Sequence, residues 1–78
     1  MSRDEVENVI ATVWRGALNV GELGRHSNFF ALGGDSLSAV IMLMELNDVH
    51  GVAVTPEAFF ADPTISGLAA AALHQEMI

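Results

Sequence analysis

The first quarter of the chain alternates apolar and polar residues with the period of an α-helix. Its apolar positions are separated by four, three and four residues, and they are Val6, Ile10, Val13 and Ala17. This spacing forms one apolar stripe along a helix that packs on a core. Ser2 and Glu5 have capping-box spacing, so we predict a first helix from about Arg3 to Leu18. Trp14, on the same helix, is expected to pack in the core rather than to bind a ligand.

A second helix is predicted from Ser36 to His50, a segment that is mostly apolar. Either Asp35 or Ser36 can cap its start, because both side chains can accept a hydrogen bond from a free N–H of the first turn. Gly51 can end the helix in the left-handed conformation.

Two shorter helical segments complete the pattern. Thr55 and Pro56 form a cap and a first-turn proline, which open a short helix through Phe59 and Phe60. Asp62-Pro63 ends that helix, and Thr64 caps the last one. The last helix repeats apolar residues at offsets of three, four, seven and eight, at Ile65, Leu68, Ala69, Ala72 and Leu73. No segment shows strand alternation, so the expected fold class is all-α, a four-helix bundle with a short third helix.

A long loop, residues 19–35, separates the first two predicted helices and contains four of the seven glycines. A connection of this length in a small domain is either functional or held down by its own side chains. We expect Phe29, Phe30 and Leu32 to anchor it, with Phe30 and Leu32 buried between helices.

The amino-acid composition mainly serves to exclude classes of function. A chain of 78 residues suffices for one small domain, so we expect a single domain over residues 1–78. Its net charge of −7, with three Arg and no Lys, argues against a nucleic-acid partner. It lacks the run of about 20 apolar residues that a membrane-spanning helix needs, so we expect a cytoplasmic protein. The three histidines are scattered without ligand spacing and Cys is absent, so we predict neither a metal site nor a disulfide.

The candidate chemistry lies at the start of the second helix, where Gly33, Gly34 and Asp35 precede Ser36. The glycines permit a tight turn and keep bulk away from the serine. Ser36 is then exposed where free backbone N–H groups point outward, and such a helix end favours an attached anion, for example a phosphodiester.

The segment from Leu32 to Leu37, read as Leu-Gly-Gly-Asp-Ser-Leu, resembles the core motif of peptidyl carrier domains. Asn28-Phe-Phe before it also fits, although Asp is frequent in the family where Asn28 stands. The segment Phe59-Phe-Ala-Asp-Pro-Thr-Ile65, with Leu68-Ala69 after it, is similar to the family's junction between the third and fourth helices. The resemblance covers nearly the whole chain. It implies that Ser36 receives 4′-phosphopantetheine from coenzyme A, with Gly33, Gly34 and Asp35 as the surrounding motif.

What the resemblance implies is a carrier rather than an enzyme. Such a domain holds an acyl or aminoacyl group as a thioester and raises its effective concentration at each partner. The implied partners are a phosphopantetheinyl transferase, an adenylation enzyme that loads the thiol, and a condensation, tailoring or thioesterase enzyme. The implied setting is nonribosomal peptide or mixed peptide–polyketide synthesis, with the domain acting as a monomer.

The residues alone leave other functions open. A polyketide-type acyl carrier protein is one alternative, although the second helix carries little acid after Ser36, unlike fatty-acid-type carriers. A four-helix adaptor in which Ser36 is only a helix cap is another. Gly34-Asp-Ser-Leu37 also matches the nucleophile block of a GDSL-type hydrolase. That family places an Asp three residues before its catalytic His, and Asn47 and Ala71 occupy those places here, so we reject catalysis.

The second helix is apolar on two sides, which a surface helix does not need for packing alone. At about 100° per residue, one face carries Leu37, Val40, Ile41 and Met44. The other face carries Ala39, Met42, Leu43, Leu46 and Val49, and the resemblance implies that this second face is core. We therefore predict that the first face, completed by Phe59 and Phe60 of the short helix, binds partner proteins.

Overall fold

A computed structural model describes residues 2–76, without the side chains of the last two. It contains α1 (Arg3–Leu18), α2 (Ser36–His50), α3 (Pro56–Ala61) and α4 (Ile65–Glu76). α1 packs against both α2 and α4, and α3 packs against α4. The predicted all-α bundle with a short third helix is confirmed. The ends of the predicted domain, residues 1 and 78, lie outside the described residues.

The helix boundaries follow from local hydrogen bonds that the sequence encodes. The Ser2 side chain accepts a hydrogen bond from the Glu5 N–H at the start of α1, and Asn19 ends that helix in the left-handed conformation with φ 55°. The Thr55 side chain accepts from the Ala58 N–H at the start of α3. Thr64 Oγ1 accepts from the Gly67 N–H at 2.9 Å, as expected for the cap of α4.

The core is a single cluster to which all four helices and the α1–α2 loop contribute. Every buried side chain of the described residues is apolar: Val6, Ile10, Val13, Trp14, Phe29, Ala39, Met42, Leu43, Leu46, Val52, Phe59, Ile65, Leu68, Ala69 and Ala72. Trp14 packs there as predicted, and its Nε1 is buried without an acceptor among the described residues. Most of the stabilisation therefore comes from apolar burial.

A network of polar contacts fastens the outside of the bundle on the side of α1 and α4. Glu7 Oε2 accepts hydrogen bonds from Arg3 Nε at 3.1 Å and from an Arg25 Nη at 3.0 Å. Arg3 also donates to Ser66 Oγ at 2.9 Å, and the Ser66 N–H donates to the Arg25 carbonyl at 2.8 Å. The first turn of α1, the loop and the first turn of α4 are thus held together through Glu7.

No helix within residues 2–76 is both long enough and apolar enough to cross a membrane.

Candidate functional site

Ser36 is the first residue of α2, and it is exposed. The cap in front of it is formed by its neighbours. Asp35 Oδ1 accepts a hydrogen bond from the Ser38 N–H at 2.8 Å, and the Asp35 N–H donates to Ser38 Oγ at 2.9 Å. This reciprocal pair is a capping box. Asp35, and not Ser36, is therefore the N-cap of α2, so the Ser36 hydroxyl is not needed to begin the helix.

The charge of Asp35 is tied to the same box. The Ser38 backbone N–H, and after it the Ser38 hydroxyl, donate to the carboxylate and hold the pKa of Asp35 below the usual carboxyl range. At neutral pH this carboxylate is ionised and engaged in capping. It is poorly suited to accept a proton from Ser36, because a lowered pKa makes it a weaker base.

The turn that leads into α2 is held by short-range hydrogen bonds. Asn28 Oδ1 accepts from the N–H groups of Phe30 at 2.9 Å and Ala31 at 3.1 Å, a turn built by its own side chain. The Gly34 N–H donates to the Phe29 carbonyl at 3.0 Å. These bonds define the path of the chain from residue 28 to the capping box.

The loop anchor differs from the prediction at two residues, Phe30 and Leu32. Phe29 is fully buried, and its ring makes edge-to-face contacts with Trp14 at 5.1 Å and Phe59 at 5.5 Å between centroids. Phe30 was expected to be buried but is 36% exposed, and it stacks on Phe60 at 5.9 Å. Leu32 is only partly buried against the core. The Phe30 ring contacts Phe29 at 5.7 Å and Phe59 at 5.6 Å between centroids, so it covers the buried Phe29 from the solvent side and does not itself enter the core.

The two faces of α2 separate as predicted, with one exception. Ala39, Met42, Leu43 and Leu46 are buried, whereas the other face is open to solvent at Leu37, Val40, Ile41 and Met44. The exception is Val49, which was assigned to the core face and is 69% exposed. It lies in the last turn of α2, at the edge of the apolar stripe.

The contribution of α3 to that surface also needs a correction. Phe59 was predicted to line the exposed patch, but it is fully buried and packs against Phe29. Only Phe60, which is 51% exposed, lies at the surface. An α3 of six residues has room for one core aromatic and one surface aromatic, because adjacent helical residues point about 100° apart.

Two further residues of the site were missed by the sequence reasoning. Ser38 completes the capping box, and the Asp-x-x-Ser spacing of residues 35–38 is a sequence signal that could have revealed it. Asn28 builds the turn that precedes the glycines. Its signal was weaker, because an Asn in a loop is compatible with several kinds of turn.

The start of α2 fits an attached phosphodiester. Ser36 is exposed and α2 is 15 residues long, so its N-terminus carries the positive end of a full helix dipole. The Ser36 and Leu37 side chains are both exposed, which leaves space for a flexible arm. Among the described residues no three His, Asp or Glu side chains could share a metal ion.

Comparison with known proteins agrees with this geometry. The family model described as "Phosphopantetheine attachment site" matches residues 8–72. Surfactin synthase subunit 1 of Bacillus subtilis (strain 168) is 39% identical over 74 residues, which cover 95% of this chain and 2% of that protein. Phosphinothricin tripeptide synthetase PhsC of Streptomyces viridochromogenes is 39% identical over 66 residues, covering 85% of this chain and 6% of that protein. The chain thus spans a very small part of these relatives.

Solved structures give the same picture. A structure of PCP, described as a prototype for the peptidyl carrier domains of modular peptide synthetases, is 34% identical with a TM-score of 0.74, covering 87% of this chain and 90% of that one. A peptidyl carrier protein solved in complex with the phosphopantetheine transferase Sfp and coenzyme A is 32% identical with a TM-score of 0.81, covering 88% and 90%. The chain therefore belongs to the phosphopantetheine attachment-site family and, within it, to the peptidyl carrier domains.

Proposed function

We propose that Ser36 Oγ is the attachment point of 4′-phosphopantetheine and that the domain carries acyl or aminoacyl thioesters between partner enzymes. One observation carries the assignment to this serine. Ser36 is exposed at the first position of α2 while Asp35 performs the capping, so the hydroxyl has no structural duty that would explain its place. This weakens the alternative of an adaptor in which Ser36 serves only as a cap.

In the proposed modification, Ser36 Oγ attacks the phosphorus of coenzyme A that bears pantetheine. A new bond forms from Oγ to phosphorus, the bond from phosphorus to the adenosine 3′,5′-bisphosphate oxygen breaks, and the serine proton passes to a base of the transferase or to water. The N-terminus of α2 favours the resulting negative charge on the serine phosphodiester. When bound, the arm supplies a terminal thiol that holds the acyl group as a thioester.

The partner-binding surface that we propose is the exposed face of α2 together with one aromatic of α3. It consists of Leu37, Val40, Ile41, Met44 and Phe60, and we call it the docking face. Leu37 is adjacent to Ser36 and 70% exposed, so the docking face begins at the attachment point. A groove of about 400 Å³ between α2 and residues 53–56 shares Val40 and Met44 with it. Exposed apolar side chains support protein docking, and Met suits a surface that meets several partners.

The partners and setting are also proposals. They are a phosphopantetheinyl transferase, an adenylation enzyme, and a condensation, tailoring or thioesterase enzyme of nonribosomal peptide or mixed peptide–polyketide synthesis. The named relatives, surfactin synthase and phosphinothricin tripeptide synthetase, support this setting, as does the carrier solved with a transferase. That residues 1–78 form one domain, that it acts as a monomer and that it is cytoplasmic remain predictions.

Intact-mass measurement tests the assignment directly. After incubation with coenzyme A, Mg²⁺ and a promiscuous phosphopantetheinyl transferase, the native chain should gain the mass of one phosphopantetheine. Ser36→Ala should gain none, whereas Ser27→Ala should be modified like the native chain. The free energy of unfolding of Ser36→Ala should also lie within about 0.5 kcal/mol of the native value, because the substituted side chain is exposed and does not cap the helix. Modification of Ser36→Ala, or an unmodified native chain with an active transferase, would refute the assignment.

A further inference from the structure

The two glycines before Asp35 are required for different physical reasons. Gly33 has φ 100°, a conformation that favours glycine, but a Cβ there would meet no atom within 4 Å. Gly34 has no such backbone requirement. A Cβ on Gly34 would instead overlap the Cδ2 and Cε2 atoms of the Phe29 ring and lie 2.8 Å from the Phe29 carbonyl oxygen. Gly34 is therefore needed because Phe29 occupies the adjoining space.

Phe29 has little freedom to give way. Its ring is fully buried between Trp14 and Phe59. Its N–H donates to the Pro63 carbonyl at 2.9 Å, and its carbonyl accepts from the Gly34 N–H at 3.0 Å. The ring and both backbone groups are thus fixed to the core, to the α3–α4 junction and to Gly34. Any added bulk at residue 34 has to move residue 34 itself, and Ser36 is two residues further along.

We propose that Phe29 is a positioning residue for the modification of Ser36, acting through its contact with Gly34. This inference rests on the proposed attachment at Ser36. The close approach of Gly34 to the Phe29 ring determines where the capping box begins, and the capping box determines where Ser36 Oγ is presented to the transferase. Because the buried Phe29 ring fixes the position of the turn, Ser36 is held in one position.

The positioning role predicts a particular kinetic signature. Four of the five docking-face side chains, those of Val40, Ile41, Met44 and Phe60, lie at least one helical turn beyond Ser36 in the chain, so a shift of the turn at residue 34 should disturb them little. The KM of the carrier for the transferase should therefore change little. The kcat should fall, because a displacement of about 1 Å in a reacting group can lower a rate by about a hundredfold.

The experiment compares Gly34→Ala with a matched loop control, Gly21→Ala. A Cβ on Gly21 meets nothing within 4 Å, and Gly21 has no positive φ. Transfer from coenzyme A by a phosphopantetheinyl transferase is followed by intact mass, at a temperature where circular dichroism shows each variant to be folded. Gly34→Ala should lose at least about tenfold in kcat with KM within about twofold. Gly21→Ala should match the native chain.

A double variant separates positioning from general destabilisation. Phe29→Leu removes Cε2, the ring atom nearest to a Cβ on Gly34, and leaves a side chain that can rotate away from residue 34, although the Phe29 carbonyl oxygen stays in place. If the contact positions Ser36, then Phe29→Leu combined with Gly34→Ala should be modified faster than Gly34→Ala alone. Independent structural losses would make the double variant slower than either single one, which would overturn the proposal. A folded Gly34→Ala with native kcat would also overturn it. If instead the native chain is never modified at Ser36, the proposed function itself has failed.

Discussion

Phe29 and Phe30 divide the end of the α1–α2 loop into a buried and an exposed half. Phe29 contacts Trp14 and Phe59 in the core, and Phe30 lies over Phe60 at the surface. The free energy that each ring contributes depends on how much of it is removed from water. Of these two rings, Phe29 therefore anchors the loop in the core, while Phe30 remains available at the surface.

Substitution of the two rings by Ala should separate these contributions. Phe29→Ala should lower the free energy of unfolding by about 3–5 kcal/mol, because it leaves a cavity in the core. Phe30→Ala, whose ring is 36% exposed, should lose roughly half as much or less. Urea denaturation followed by circular dichroism measures both. Equal losses for the two variants would contradict the assignment of Phe29 as the anchor.

Asp35 should make stability depend on pH. Its pKa is lowered in the folded state by the Ser38 N–H and hydroxyl, so ionisation stabilises the fold above the unfolded pKa. That contribution should be lost as the pH falls through the lowered pKa, below the ordinary carboxyl pKa of about 4.

The matched control for this pH dependence is Asp35→Asn, which can still cap α2 but does not titrate. Urea denaturation at pH 6 and at pH 3 should show a larger loss of stability for the native chain than for Asp35→Asn. An equal loss in the two proteins would show that the capping carboxylate does not contribute to the acid sensitivity.

At the scale of elements, α2 has two apolar faces with different roles, one in the core and one at the surface. One faces the core with residues such as Ala39 and Leu46, which are fully buried, and the other forms the docking face. A charge placed on the first face would be buried without a partner, whereas a charge on the second would meet water. This difference gives a direct test of how the helix is used.

Val40→Asp and Met44→Asp should leave the fold intact and slow modification by the transferase by about fivefold or more, the effect of losing an apolar contact of about 1 kcal/mol. Leu46→Asp, on the core face of the same helix, should unfold the domain. Thermal melting and the rate of phosphopantetheine transfer measure the two effects. Because the docking face is apolar, the transfer rate should fall only modestly as salt rises. If Val40→Asp unfolds the domain, the faces have been assigned the wrong way round.

The sequence predicted helices better than it predicted which side chains are covered. The bounds of α1 and α2 and the caps at Thr55 and Thr64 were predictable, because spacing and capping residues act locally. Whether Phe29 or Phe30 enters the core depends on the Asn28 turn, and two adjacent identical residues carry no signal to distinguish them. For Val49, helical periodicity gives the direction of the side chain but not whether a neighbouring element covers it. Phe59 was misassigned for the same reason, since the position of α3 against the loop is a tertiary property.

At the scale of the whole molecule, the charged residues are unevenly distributed. No Lys or Arg follows Arg25 in the sequence, so α2, α3 and α4 carry no such cation. Arg3 and Arg25 both pair with Glu7, and Arg15 donates to the Gly21 carbonyl at 3.3 Å. The cations therefore join α1 to the loop and to the start of α4, while the docking face is left to apolar contacts.

Neutralising Glu7 should loosen this junction without unfolding the domain. Glu7→Gln should lower the free energy of unfolding by about 0.5–1 kcal/mol, because the two arginines are half exposed and such pairs contribute little each. Hydrogen exchange should accelerate at the Ser66 N–H, which donates to the Arg25 carbonyl. Glu22→Gln, on the exposed loop, serves as the control and should leave that amide unchanged. Unchanged exchange in Glu7→Gln would show that apolar packing alone holds the junction.

Because Trp14 contacts Phe29, its fluorescence should report on the position of the α1–α2 loop. Trp14 is the sole tryptophan and the chain has no tyrosine, so intrinsic fluorescence comes almost entirely from one indole. That indole is fully buried, with the anchoring ring at its edge. Any event that lifts Phe29 away, whether a substitution, a denaturant or a bound partner, should let water reach the indole and shift its emission to longer wavelength. The Trp14 emission wavelength can therefore be used to follow, in real time and without an attached dye, whether the turn that precedes Ser36 is packed on the core.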